Sequence, residues 1–236
     1  TNREGVEKLI PFDQLLVAVG RKANVKGFGL EQLGVELSPR GTIEVDDYLK
    51  TNFPNIYAIG DVAGPYQFTH TASHMAWFAA VNALFGVLWR FKVDYSVIPW
   101  ATFCSPEVAR VGLNEQEAIE QGIAYEVTTY NVADLDRAIA DEAAQGLVKV
   151  LTVPGKDKIL GATIAADHAG ELIGEITLAM KCGLGLSKIM GTIHIYPTFM
   201  EMNKFAASEW RKNNKPDWAL DIAERFHRWR RGTGVK

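Results

Sequence analysis

The sequence has 236 residues, 47% of them hydrophobic and 22% charged, which allows one large core or two small ones and excludes a disordered chain. Its 28 acids against 25 bases give a formal net charge of -3, without the basic excess expected of a nucleic-acid binder. Two cysteines, Cys104 and Cys182, are too few and too far apart for a disulfide framework or a zinc cluster, and they fit a reducing, cytoplasmic setting.

The opening TNREGVEKLIPFDQ lacks the basic and apolar regions of a signal peptide, and no apolar run reaches the roughly 20 residues of a membrane span. Leu15 to Val19, LLVAV, is apolar on both faces and ends at Gly20, as expected of a strand covered on both sides. A second short strand is expected at Ile56 to Ile59, ending in Gly60-Asp61. From Thr69 to Gly86 the apolar residues Ala72, Met75, Ala76, Ala79, Ala83 and Leu84 recur at helical spacing.

Lys92 to Pro99 reads as a linker. Beyond it, Tyr125 to Val132, Leu147 to Val153 and Ile159 to Ala165 have strand composition; the turn Pro154 to Asp157 makes the last two antiparallel neighbours. A helix is expected over Glu171 to Cys182, stopped at Gly183, and another from Pro197 to about Lys212 with Phe199, Met202, Phe205, Ala206 and Trp210 as its apolar stripe. Asp217 to Arg231 is amphipathic and arginine-rich; it reads as a surface helix laid on the core, with a membrane-surface role as the lesser alternative.

There is no G-x-G-x-x-G, Walker loop, Cys-x-x-Cys, nucleophile elbow or metal-ligand cluster. The residues around Gly60 are nevertheless suited to a ligand. Glycine at a strand end permits close backbone approach, Asp61 can accept hydrogen bonds from hydroxyls, and the following helix offers N–H groups near Thr69, His70, Thr71 and Ala72. A bare Gly-Asp is also an ordinary turn, and such a helix also packs on a sheet. His70 and His74 share a helical face as structural or ligand-adjacent residues, and two histidines make a poor metal site.

Four stretches in order carry a resemblance. LLVAVGRKAN (15–24) resembles the segment leading from the NAD domain back to the FAD domain in the flavoprotein disulfide reductases. TNFPNIYAIGD (51–61) is similar to that family's second FAD motif, FCSPEVARVGLNEQEA (103–118) to the start of its dimerisation domain, and HIYPTFME (194–201) to its acid-base segment. The resemblance implies the α/β end of an FAD-binding domain followed by an α+β dimerisation domain with an antiparallel sheet and helices. Residues 1–94 would be the end of the NAD domain and the last part of the FAD domain, 95–215 the dimerisation domain, and 216–236 an amphipathic tail. It further implies FAD and NAD(P)H as cofactors, a homodimer, and a missing amino-terminal half that carries the glycine-rich motifs.

Under this resemblance Gly60, Asp61, Thr69, His70, Thr71 and Ala72 contact FAD, and Tyr196, Glu201 and His194 belong to the acid-base segment. In the dithiol-oxidising members a histidine precedes Pro-Thr; here it is Tyr196, while Glu201 is retained, which is similar to mercuric-reductase-like members and to soluble transhydrogenases. A phenol with a pKa of about 10 is a weak base at neutral pH. His194 reads as a packing histidine or a partial substitute, and Arg21 and Lys22 as residues of the domain junction or solvated bases. Cys104 and Cys182 read as small buried hydrophobes. The functions that remain are an FAD-dependent, NAD(P)H-linked oxidoreductase, a transhydrogenase-like flavoenzyme, and a non-catalytic dimerisation module.

Overall fold

The computed structural model describes residues 5–232; the outer ends of the expected first and last segments, 1–4 and 233–236, lie outside them. The chain divides into two compact units, Thr1–Val93 and Asp94–Lys236.

The first unit contains a short helix α1 (Leu30–Leu33), a 3-10 turn at Gly60–Val62 and a long helix α2 (Thr69–Phe85). A small core gathers Val25, Val35, Ile43 and Ala58, with Phe53, Ile56 and Val62 against it. Helix α2 buries Met75 and Ala79, while Leu84, expected on the same face, is exposed. Its end is fixed by Asn82, whose buried amide donates to the carbonyls of Phe91 (2.8 Å) and Tyr48 (3.2 Å) and accepts from the Phe91 N–H (2.8 Å). Gly86 caps the helix in right-handed geometry.

Neither strand expected in this unit forms. Leu15 to Val19 is irregular and its large side chains are exposed. Around Ile56 the pairing is a single antiparallel bridge between Lys50 and Tyr57. Both runs have strand composition, but a strand needs neighbours to satisfy its N–H and C=O groups: no described segment pairs with Leu15 to Val19, and Ile56 to Ala58 pairs only briefly with Leu49 to Thr51, through the Thr51 N–H to the Ile56 carbonyl and the Ala58 N–H to the Leu49 carbonyl.

The second unit is a five-stranded antiparallel sheet in the order β1-β2-β5-β4-β3. Its strands are β1 (Pro99–Thr102), β2 (Glu107–Gly112), β3 (Glu126–Asn131), β4 (Leu147–Thr152) and β5 (Ile159–Ala166). β4 and β5 pair antiparallel with Val150 opposite Ala162, as the turn at Pro154 to Asp157 requires. Alternation places Ala109 and Val111 of β2, Val148 and Val150 of β4, and Ala162, Ile164 and Ala166 of β5 in the core.

The helices are α3 (Glu115–Glu120), α4 (Asp136–Ala140), α5 (Ala169–Lys181), α6 (Leu186–Gly191), α7 (Glu201–Asn213) and α8 (Asp217–Arg230). α3 opens with a capping box, in which the Asn114 side chain accepts from the Glu117 N–H at 2.7 Å and the Glu117 carboxylate accepts from the Asn114 N–H at 3.2 Å. α5 packs on β2 and β5 through Leu172, Ile173, Ile176 and Ala179, and α7 packs on β3 and β4. Each fully buried Leu, Ile or Met on these faces contributes about 1.5–3 kcal/mol.

Several expectations need correction. α7 starts at Glu201 rather than Pro197: the Thr198 hydroxyl donates to the Ile195 carbonyl at 2.6 Å, closing a turn that delays the helix. Phe199 and Met202 are buried within this unit, and Phe205 lies against the Tyr130 ring with centroids 5.4 Å apart. Phe199 and Met202 therefore need no second chain to cover them, whereas Phe205 stays exposed. Cys104 and Cys182 are both exposed free thiols, because each sits in a turn at an element's edge rather than on a core face. α8 is not laid on the core; its large apolar side chains stay open.

Candidate functional site

In the first unit the residues around Gly60 converge. Ile59 is extended, Gly60 turns into the left-handed region at φ 69°, and the 3-10 turn brings Asp61 beside the start of α2. A side chain at residue 60 would have its Cβ 3.0 Å from the Ala72 Cβ, so the turn and the helix touch only because residue 60 is glycine. The Gly60 N–H donates to the Met75 sulfur at 3.4 Å, which holds the turn against the helix.

The N-cap residue of α2, Phe68, offers no side-chain cap, and the first turn carries the positive character of a helix N-terminus. Thr69 and His70 are exposed, Ala72 is half-buried, and buried Thr71 donates its hydroxyl to the Phe68 carbonyl at 2.8 Å. The sequence left Arg21 open. In the structure one of its guanidinium nitrogens donates to the Gln67 carbonyl at 2.8 Å and reaches Asp61 Oδ2 at 3.4 Å. Asp61 is half-exposed, and its carboxylate retains lone pairs for hydroxyl donors.

The second unit holds the other group. Tyr196 is exposed and donates its hydroxyl to Asp136 Oδ2 at 2.9 Å, from the first residue of α4. This hydrogen bond and the negative charge of Asp136 raise the phenol above its ordinary pKa. Tyr196 is therefore a donor at neutral pH and no base. Glu201, buried at the first position of α7, accepts the Thr198 N–H at 3.2 Å and so ties the turn after Pro197 to the helix.

His194 faces inward, with a side chain only 3% exposed. Its Nδ1 donates to the Thr192 carbonyl at 3.0 Å, and its Nε2 lies 2.9 Å from Glu175 Oε1 on α5. The other oxygen of Glu175 accepts from the Asn203 amide at 3.1 Å, and the same amide donates to the Leu172 carbonyl at 3.0 Å. This network joins the segment before Tyr196 to α5 and α7. His194 and Tyr196 consequently point apart, and the outward side is shared by Ile193, Ile195 and Tyr196.

Asp136, Glu175 and Asn203 are the residues the sequence reading missed. Glu175 falls between Leu172 and Ala179 on the buried stripe of α5, and Asn203 lies one turn before Ala206 on that of α7. A polar residue interrupting an apolar stripe is a readable signal. Asp136 carried none, since its partner is 60 residues away. Among the described residues, no three His, Cys, Asp or Glu side chains group to hold a metal ion, and no helix is long and apolar enough to cross a membrane.

Two profiles of known families match the chain: "Pyridine nucleotide-disulphide oxidoreductase" over residues 1–76 and "Pyridine nucleotide-disulphide oxidoreductase, dimerisation domain" over residues 98–207. Similar curated proteins include the dihydrolipoyl dehydrogenase of Chlamydia muridarum, 40% identical over 191 residues that make up 81% of this chain and 40% of that one. That of Staphylococcus aureus is 38% identical over 206 residues, 87% of this chain and 43% of the relative. The chain thus spans about two fifths of the length of the curated relatives it matches. Among solved structures, the Cu(II) complex of the HOCl-induced flavoprotein disulfide reductase RclA from Escherichia coli superposes with a TM-score of 0.76 at 30% identity, covering 83% of this chain and 44% of that one. Two profiles of one family, in the order of the two units, agree with the antiparallel sheet of the second unit and with the four motif stretches, and on these grounds the chain belongs to the pyridine nucleotide-disulphide oxidoreductase family.

Proposed function

We propose that this chain is the carboxy-terminal part of an FAD-dependent, NAD(P)H-linked oxidoreductase that works as a cytoplasmic homodimer. The observation that carries the reading is the convergence of Gly60, Asp61 and the start of α2, with Arg21 beside them. The residues fit a flavin nucleotide. The Asp61 carboxylate would accept hydrogen bonds from ribityl hydroxyls, and the helix start at Thr69, His70, Thr71 and Ala72 favours negative charge at its mouth. FAD, when bound, supplies two-electron transfer from the nicotinamide to an acceptor.

Tyr196 would act at the acceptor side as a hydrogen-bond donor, held by Asp136, with Glu201 and His194 positioning its segment from below. A phenol in that role favours mercuric-reductase-like chemistry over a dithiol that needs an imidazole base, although the similar curated proteins are dihydrolipoyl dehydrogenases. The homodimer is supported by the exposed apolar cluster Ile193, Ile195 and Tyr196, which is the type of surface that associates. Two exposed free thiols suit a reducing cytoplasm.

The test is spectroscopic. The full-length protein purifies yellow with flavin absorbance, and anaerobic NADH or NADPH bleaches it. A colourless full-length protein that takes up no FAD would leave the non-catalytic dimerisation module instead.

A further inference from the structure

We infer that α8 is a docking helix for a membrane surface rich in anionic lipid headgroups. It lies beyond residue 207, where the family match ends, so nothing in the family reading accounts for it. At 100° per residue, Trp218, Ile222, Phe226 and Trp229 fall within an arc of about 80° on one face. All four are open, from 50% exposure at Phe226 to 76% at Trp229. Such a face is costly to leave in water, and the core beneath α7 is already closed by Met202, Ala206 and Trp210.

Charge decides the occupant. From Arg225 to Arg231 there are four arginines and no carboxylate, in a chain whose net charge is -3. Arg225 borders the apolar arc on one side and Arg230 on the other, while Arg228 is turned away and paired with Glu224 at 2.6 Å. A second copy of this helix would bring the same arginines to the same seam, so self-pairing is opposed. A nucleic acid would match the arginines and leave the apolar arc uncovered. A bilayer surface matches both: the arc enters the headgroup boundary, the tryptophans at its two ends take the interfacial positions these rings prefer, and the bordering arginines meet phosphates.

Vesicle flotation of the full-length protein tests this, with phosphatidylcholine vesicles containing about 30% phosphatidylglycerol compared against phosphatidylcholine alone. Binding is expected to the anionic vesicles only. It should fall at least about tenfold in about 0.5 M salt and in each of two double variants, Phe226→Asp with Trp229→Asp and Arg225→Glu with Arg230→Glu. Flavin content and NAD(P)H oxidation should not change, which separates failure of this inference from failure of the flavoenzyme reading. The proposal is overturned if anionic vesicles do not retain the protein, if neutral vesicles retain it equally, or if both variants bind as the parent does. It is also overturned if the variants change the sedimentation of the protein without lipid, since the face would then join copies of the chain.

Discussion

Arg21 and Asp61 are 40 residues apart in sequence, and the guanidinium reaches the carboxylate at 3.4 Å while donating to the Gln67 carbonyl at 2.8 Å. Both side chains are substantially exposed, so the ion pair contributes little to stability, at most about 1 kcal/mol. Its consequence is orientation, because it holds one carboxylate oxygen and leaves the other for a ligand.

Arg21→Ala should therefore weaken FAD retention without lowering the melting temperature by more than a degree or two, about the effect of an exposed pair. Arg21→Lys restores part of the retention, since its ammonium can donate to the same two acceptors but is a more strongly hydrated point charge without the planar guanidinium. Flavin absorbance after gel filtration, read beside a melting curve, checks both.

Asp61→Ala should abolish FAD retention while the dimer persists, and Asp61→Asn should retain an intermediate amount, because an amide oxygen still accepts but lacks the charge. Sedimentation together with flavin absorbance separates the two effects. Full occupancy in the alanine variant would exclude Asp61 as a ligand.

Tyr196 gives a pH prediction. Its phenol is held above its ordinary pKa by the hydrogen bond to Asp136. The neutral form is thus favoured in the folded state: the contribution is fully present below the unfolded value of about 10 and is lost as pH rises through the higher folded value. Absorbance of phenolate in the native protein should show this residue titrating late, and Asp136→Asn should bring it earlier, with Tyr196→Phe identifying the signal. Tyr196→His in the full-length enzyme should gain dithiol turnover or lose native activity; a variant that does neither makes the position structural.

The antiparallel sheet of the second unit was legible because its strands alternate and the turn at Pro154 to Asp157 fixes their pairing. The strands expected in the first unit were not realised, since composition reports what a segment can pair with and not whether a partner lies beside it. The same limit applies to the site. Gly60 and Asp61 stand next to each other in sequence, whereas the Tyr196–Asp136 and His194–Glu175 contacts join distant elements and follow only from the packed helices.

That network carries a stability prediction. Asn203 is buried and its amide serves both Glu175 and the Leu172 carbonyl. Asn203→Ala removes the donor to Glu175 together with an Oδ1 that is itself buried without a partner, and should destabilise by about 1 kcal/mol, whereas Asn203→Asp should destabilise more by placing a second carboxylate beside Glu175. Denaturant titration followed by far-UV circular dichroism measures it. His194→Ala should destabilise similarly and shift the position of Tyr196, which the phenolate titration would register.

For the dimer, Ile195→Glu places a charge in the exposed cluster of Ile193, Ile195 and Tyr196 and should yield a monomer by sedimentation. A variant that remains dimeric would move the interface elsewhere.

The open stretch from Leu15 to Val19 bears on how the polypeptide can be handled. Five consecutive apolar residues, with Leu16 and Val19 almost fully exposed and no described strand beside them, form a sticky template onto which another copy can lay its own LLVAV. When the 236-residue chain is made alone it should collect in inclusion bodies or as soluble aggregates, and co-production with a segment that lies alongside that run should rescue it, as should Leu16→Lys with Val17→Lys. The yield of monodisperse protein would then report whether the run has found its intended neighbour.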